Sequence, residues 1–148
     1  ALPLLADMLP AAGVTNASSQ YIGLSRWDIP AQTLALPGIQ GGWFALPDPG
    51  ASAAFASRYA AAYGERPLDI AGLAFDGIAA VGSLVKGGKK TALSTASLTQ
   101  GAGFQGAHGI FRLRPDGTNQ RGLAVATIRN NQVVLLEAAP KAFGGAGF

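Results

Sequence analysis

Four consecutive residues, Ser25, Arg26, Trp27 and Asp28, each carry a hydrogen-bonding or stacking side chain. An arginine fork can clamp a carboxylate, an aspartate can take an ammonium, and an indole face can cover apolar substance. The run follows a short apolar stretch, residues 21–24, that reads as a buried parallel strand. Ligands of open α/β sheets bind just beyond the carboxyl ends of such strands. The same letters fit a second reading, in which Arg26 and Asp28 pair with each other and brace a surface loop beside a half-buried tryptophan. Residue types alone leave both open. Trp43, inside a second short strand, reads as core.

Other motifs fail on context. Gly101, Gly103 and Gly106 have the spacing of a dinucleotide fingerprint, which needs a strand before it and a helix after it so that phosphate meets a helix N-terminus. Here a strand follows, so the stretch reads as a flexible crossover loop. A small nucleotide-using enzyme would rest on that loop alone. Residues 82–91 resemble a phosphate loop, but Lys89 precedes Lys90 rather than serine or threonine, and the segment ends a helix. Asn16-Ala17-Ser18 is a glycosylation sequon by letter only. His108 is the one histidine, and with no cysteine and no spaced carboxylates beside it a metal site is not expected. It reads as a turn residue. The eight carboxylates are dispersed and no Gly-x-Ser-x-Gly elbow occurs, so nothing argues for an enzyme or a cofactor.

Composition narrows the classes further. Charged residues make up 13% of the 148, about half the usual share, while 49% are hydrophobic. A surface so poor in charge is suited to contact. The net charge of +3 does not imply nucleic acid. The only basic cluster, Lys86, Lys89 and Lys90, falls where a helix should end, and cations there complement the helix dipole. The N-terminus lacks the basic region of a signal peptide, and no stretch reaches the ~18 apolar residues of a membrane span.

The elements that must position these residues follow from periodicity. Residues 2–9 read as a helix closed by Pro10 and Gly13, and residues 21–24 and 42–46 as short strands. Phe55, Tyr59 and Tyr63 recur every four residues on one helix face, with Gly64 as its stop. Pro67 suits the first turn of a second helix. Its expected buried stripe runs through Ile70, Leu73, Ala74, Gly77, Ile78, Val81, Leu84 and Val85. From Gly109 the period becomes two: residues 110–113, 122–129 and 132–137 read as strands of a meander, with a tight hairpin at Asn130-Asn131. The expected class is α/β with an antiparallel end.

This succession resembles the second half of type I periplasmic, or extracytoplasmic, solute-binding proteins of the branched-chain amino-acid-binding group. The motifs are Tyr21-Ile-Gly-Leu-Ser-Arg-Trp-Asp28, Gly41-Gly-Trp-Phe-Ala-Leu-Pro-Asp-Pro49, the helix with Phe55 and Tyr63, Ala74-Phe-Asp-Gly-Ile78, Gly103-Phe-Gln-Gly106, and the closing run from Gly109 to Asp116-Gly117. The variant with Arg-Trp-Asp and Gly-Trp-Phe is similar to penicillin-binding-protein activators. The resemblance implies a two-lobed clamshell that closes on a small solute. Residues 1–46 would belong to the C-terminal lobe, 47–105 to the N-terminal lobe as a helical segment, and 106–148 would return as β structure. Pro47-Asp48-Pro49 and residues 101–106 would be the hinge crossings. Ser25, Arg26, Trp27 and Asp28 would line the cleft, where the family's loop holds the ligand's amino group. An amino-acid-like solute, an ABC permease or a cell-wall synthase, and a place in the periplasm or on the outer face of the envelope are implied as partners and location. Phe75 stands where the family has tyrosine, which removes a hydroxyl. The family's first half is missing, so helix faces that would cover it are expected to drive formation of a homo-oligomer.

Overall fold

The computed structural model describes residues 2–23, 26–68, 70–88 and 91–144. They form a mixed α/β fold in two compact units, residues 1–46 with 124–138, and residues 47–123 with 139–148.

The first unit opens with α1, Leu2–Ala11. Pro10 does not close this helix but sits in its last turn, where a missing N–H forfeits a single hydrogen bond. Ala6 is the residue α1 buries, and its carbonyl lies so close to Gly38 that an added Cβ there would meet it at 1.8 Å. Strands β1, Ile22–Gly23, and β2, Trp43–Leu46, pair in parallel. Between them run two short 3-10 turns, Ala31–Ala35 and Pro37–Ile39. Strand β2 then pairs antiparallel with the later strand β6, Ala124–Arg129, which pairs antiparallel with β7, Gln132–Glu137. The hairpin between those two turns on Asn130 and Asn131, with φ of 51° and 61°, the left-handed pair that a two-residue turn of this hand demands. Alternation along β2 buries Phe44 and Leu46, which lie opposite the buried Ala126 and Ala124 of β6; Ile39 and Ile128 are buried too. Trp43 faces the other way and is 43% exposed, which corrects its reading as core: a period of two turns it out once Phe44 turns in.

The second unit begins with α2, Pro49–Tyr63. It is capped by the Asp48 side chain, which accepts from the amides of Gly50 and Ala51, and stopped by Gly64 at φ 78°. Helix α3 spans Ala71–Val85, starting four residues beyond Pro67 rather than at it. After α4, Thr95–Leu98, come β3, Phe104–Gly106, β4, Gly109–Leu113, and β5, Asn119–Arg121, in an antiparallel sheet of that order. Phe104 and Phe111 pack with Ala80 of α3 at the centre, flanked by Leu84 and Leu113.

Two expectations change here. Residues 101–106 do not carry the chain out of the second unit: they end in β3, and residues 106–123 stay with the helices. The run 122–129, read as one strand of a meander, is broken at Leu123/Ala124, where the chain passes back to the first unit. The buried face of α3 also differs from the expected stripe. It consists of Gly72, Asp76 and Ala80, while Ile70, Leu73, Ile78, Val81 and Val85 are exposed or largely so. A helix apolar on nearly every side gives periodicity no contrast to work with.

Candidate functional site

Arg26, Trp27 and Asp28 follow β1 in the chain; Leu24 and Ser25 lie outside the described residues. Arg26 donates through Nε to Asp28 Oδ1 at 2.9 Å and through Nη2 to Oδ2 at 2.5 Å, a bidentate fork across two residues. The Arg26 side chain is 39% exposed and that of Asp28 15%. Trp27 turns the opposite way. It is 7% exposed, with its ring stacked 6.1 Å from that of Phe44 at an interplanar angle of 18°. Gly23 and Gly42 make room for it: a Cβ on either would come within 2.4 Å of the indole. The loop therefore has an apolar anchor below and a charged pair above. Of the four residues singled out from the sequence, the structure brings Arg26 and Asp28 together and places Trp27 in the core of the first unit.

Sequence reasoning passed over two carboxylates of the second unit. Asp48 is 5% exposed, caps α2 and pairs with the Lys141 ammonium. The hydrogen bond from Lys141, seconded by the amide of Ala51, holds its carboxyl below the usual aspartate range, against the opposing effect of burial. An aspartate directly before proline at a helix start is a readable cap signal, masked here by the reading of Pro47-Asp48-Pro49 as a hinge crossing. Asp76, on the buried face of α3, accepts from the amide of Ala107 at 2.5 Å and from Arg121 Nη1 at 2.7 Å. No sequence signal marks that pairing. Gly106 admits the carboxylate, since a Cβ there would stand 2.3 Å from Oδ1.

His108 occupies the turn between β3 and β4, with Nδ1 3.0 Å from Ser52 Oγ and its ring over Gly72. Among the described residues no group of three or more histidines, aspartates or glutamates is placed to hold a metal ion. Between α2 and α3 lies a cleft of about 320 Å³ lined by Phe55, Arg58, Tyr59, Tyr63, Ala71 and Phe75. Phe75 packs 5.1 Å from Phe55 and brings no hydroxyl to that cleft.

A parallel strand pair thus precedes a loop that bears a charged pair, in a two-unit chain that passes three times between its units. Residues 1–132 match the family of periplasmic binding proteins, and the chain belongs to it. Among solved structures it is similar to a protein assigned to branched-chain amino acid ABC transport from Rhodospirillum rubrum, at 19% identity and a TM-score of 0.68 over 88% of this chain. A leucine-binding protein from Thermotoga maritima matches 93% of the chain at 14% identity and a TM-score of 0.51. An ABC transporter solute-binding protein from R. palustris, in complex with benzoate, matches 95% at 19% identity and 0.52. The chain spans about 40% of the length of each of these proteins. A search of the curated proteins gives no match.

Proposed function

We propose that this protein is an extracytoplasmic binding protein, not an enzyme. In this reading it takes an amino-acid-like small polar solute, for ABC-type transport or sensing, at the loop of Ser25, Arg26, Trp27 and Asp28. The observation that carries it is the position of Arg26 and Asp28 just beyond the carboxyl end of a strand paired in parallel, within the fold of the periplasmic binding family. A guanidinium and a carboxylate side by side are complementary to a zwitterion. The similar structures include a leucine-binding protein and one holding benzoate. Both ligands have a carboxylate, the group that Arg26 would clamp, while Trp27 supports the loop from beneath. Residues 1–46 would then be part of one lobe of the whole protein and the helices of residues 47–105 part of the other, with an ABC permease as the downstream partner.

The test is a thermal-shift scan of amino acids and simple carboxylates, followed by titration calorimetry on any that stabilise. A solute at a hundred times its Kd adds about 2.7 kcal/mol of stability. A reproducible shift by a zwitterion supports the reading. No shift with any of them overturns it.

One observation favours a second reading, a solute-free cell-envelope protein that contacts a cell-wall synthase as penicillin-binding-protein activators do. Arg26 and Asp28 already satisfy each other and Trp27 is buried, so the loop can serve as a braced surface. Binding to a synthase without any solute effect would select it.

A further inference from the structure

The chain passes between its two units at Leu46/Pro47, Leu123/Ala124 and Ala138/Ala139. Just inside the second unit, the first two passing segments meet at the start of β4, and the third packs on them. The first does so through Asp48, whose amide donates to the His108 carbonyl at 3.1 Å and whose Cβ lies against Gly109. The second does so through Gly122, whose amide donates to the Ile110 carbonyl at 2.9 Å. The third reaches the other two. Pro140 covers Gly122 so closely that a Cβ there would meet its ring at 2.9 Å, and Lys141 pairs with Asp48. Gln105 adds a hydrogen bond from its amide group to the Lys141 carbonyl at 3.1 Å.

From this lacing we propose that the Asp48–Lys141 ion pair is a latch. It joins the first and third connections, 93 residues apart, into one rigid block seated on β4. The pivots between the units are then the residues on the other side of the latch: 46–47, 123–124 and 138–139. Residues 48, 122 and 140–141 do not bend. This assignment is independent of which solute the protein binds. It needs only the two units, and it gives Asp48 two tasks, capping α2 and holding Lys141.

Backbone ¹⁵N relaxation on the 148-residue chain tests it. Order parameters near 0.85 mark rigid backbone and values below about 0.6 mark flexible backbone. The expected wild-type result is rigid values at Asp48, Gly122 and Lys141. In Lys141→Met, which keeps the stem and removes the charge of an ammonium-bearing side chain that is 74% exposed, the fold should persist. Values at positions 141 and 142 should fall toward 0.6. Asp48→Asn, which keeps a capping oxygen, should loosen the same two positions while Gly50 and Ala51 stay rigid. A wild-type Lys141 already below about 0.6 would overturn the latch, as would Lys141→Met leaving 141 and 142 unchanged. So would Asp48→Asn loosening only the first turn of α2, which would reduce Asp48 to a cap.

Discussion

Arg26 and Asp28 neutralise each other across a bidentate contact, so a zwitterion that binds there must share or open that pair. Removing either group should then weaken binding of an amino-acid-like solute. A charge-assisted hydrogen bond is worth about 1.5–3 kcal/mol, roughly ten- to a hundredfold in affinity. We expect Arg26→Ala and Asp28→Ala each to show that loss by titration calorimetry with the fold intact. Unchanged affinity with a lowered melting temperature would assign the pair to bracing. Asp48 makes a different prediction. Asp48→Ala removes a helix cap and should cost about 0.5–2 kcal/mol by urea denaturation near neutral pH. Its folded carboxyl titrates below the ordinary aspartate value, so the stabilisation it supplies is complete above about pH 3.9. As pH falls further, through the lower folded value, that stabilisation is lost. The stability gap between wild type and Asp48→Ala should therefore close at low pH and stay constant from pH 5 to 8. A gap that widened in acid would contradict the assigned shift.

At the scale of elements, α3 is seated by its polar and small residues. Gly72 and Ala80 allow close approach, and Asp76 between them ties the helix to Arg121 of β5 and to the turn after β3. The Asp76 side chain is 2% exposed and that of Arg121 is 24% exposed. Removing one partner of a buried pair leaves an uncompensated charge, at about 3–5 kcal/mol. With Arg121 able to reach water in part, Asp76→Ala should fall near the lower end of that range by chemical denaturation, and the Arg121→Ala penalty should be of the same order. A cost below about 1 kcal/mol, the level of surface pairs, would show that the helix is held by Ala80, Phe104 and Phe111 alone.

For the whole molecule, the consequence lies in the exposed apolar residues on and just before α3. Leu68, Ile70 and Ile78 are 77%, 69% and 76% exposed, and Leu73, Val81, Val85 and Tyr63 are exposed as well. Burying one large apolar side chain is worth about 1.5–3 kcal/mol, and a chain with only 13% charged residues has little to oppose association. We expect the 148-residue chain to form a homodimer or larger assembly through these residues. Light scattering at micromolar concentration should give a mass of at least twice 14.9 kDa, and Ile78→Lys should shift it toward monomer. A stable monomer without Ile78→Lys would remove the proposal.

Local chemistry was legible in the residues themselves. Gly64 stops α2 because it alone takes φ of 78° at no cost, and Asn130-Asn131 turns a hairpin because asparagine tolerates the left-handed region. The α/β class followed from the order of short apolar runs and amphipathic stretches. Other features depend on partners far away in sequence. Asp48 meets Lys141 across 93 residues and Asp76 meets Arg121 across 45, separations at which no local pattern operates. The inward face of α3 could not be read because the helix is apolar nearly all round. The sheet of β3, β4 and β5 selects the small side chains around Asp76, since only they let helix and strands approach. Trp27 likewise is a cleft residue or a core residue by its letter alone. The tertiary structure decided for the core, because Gly23 and Gly42 open a slot beside Phe44 that a large flat ring fills, and burying that ring removes more apolar area from water than leaving it on the loop.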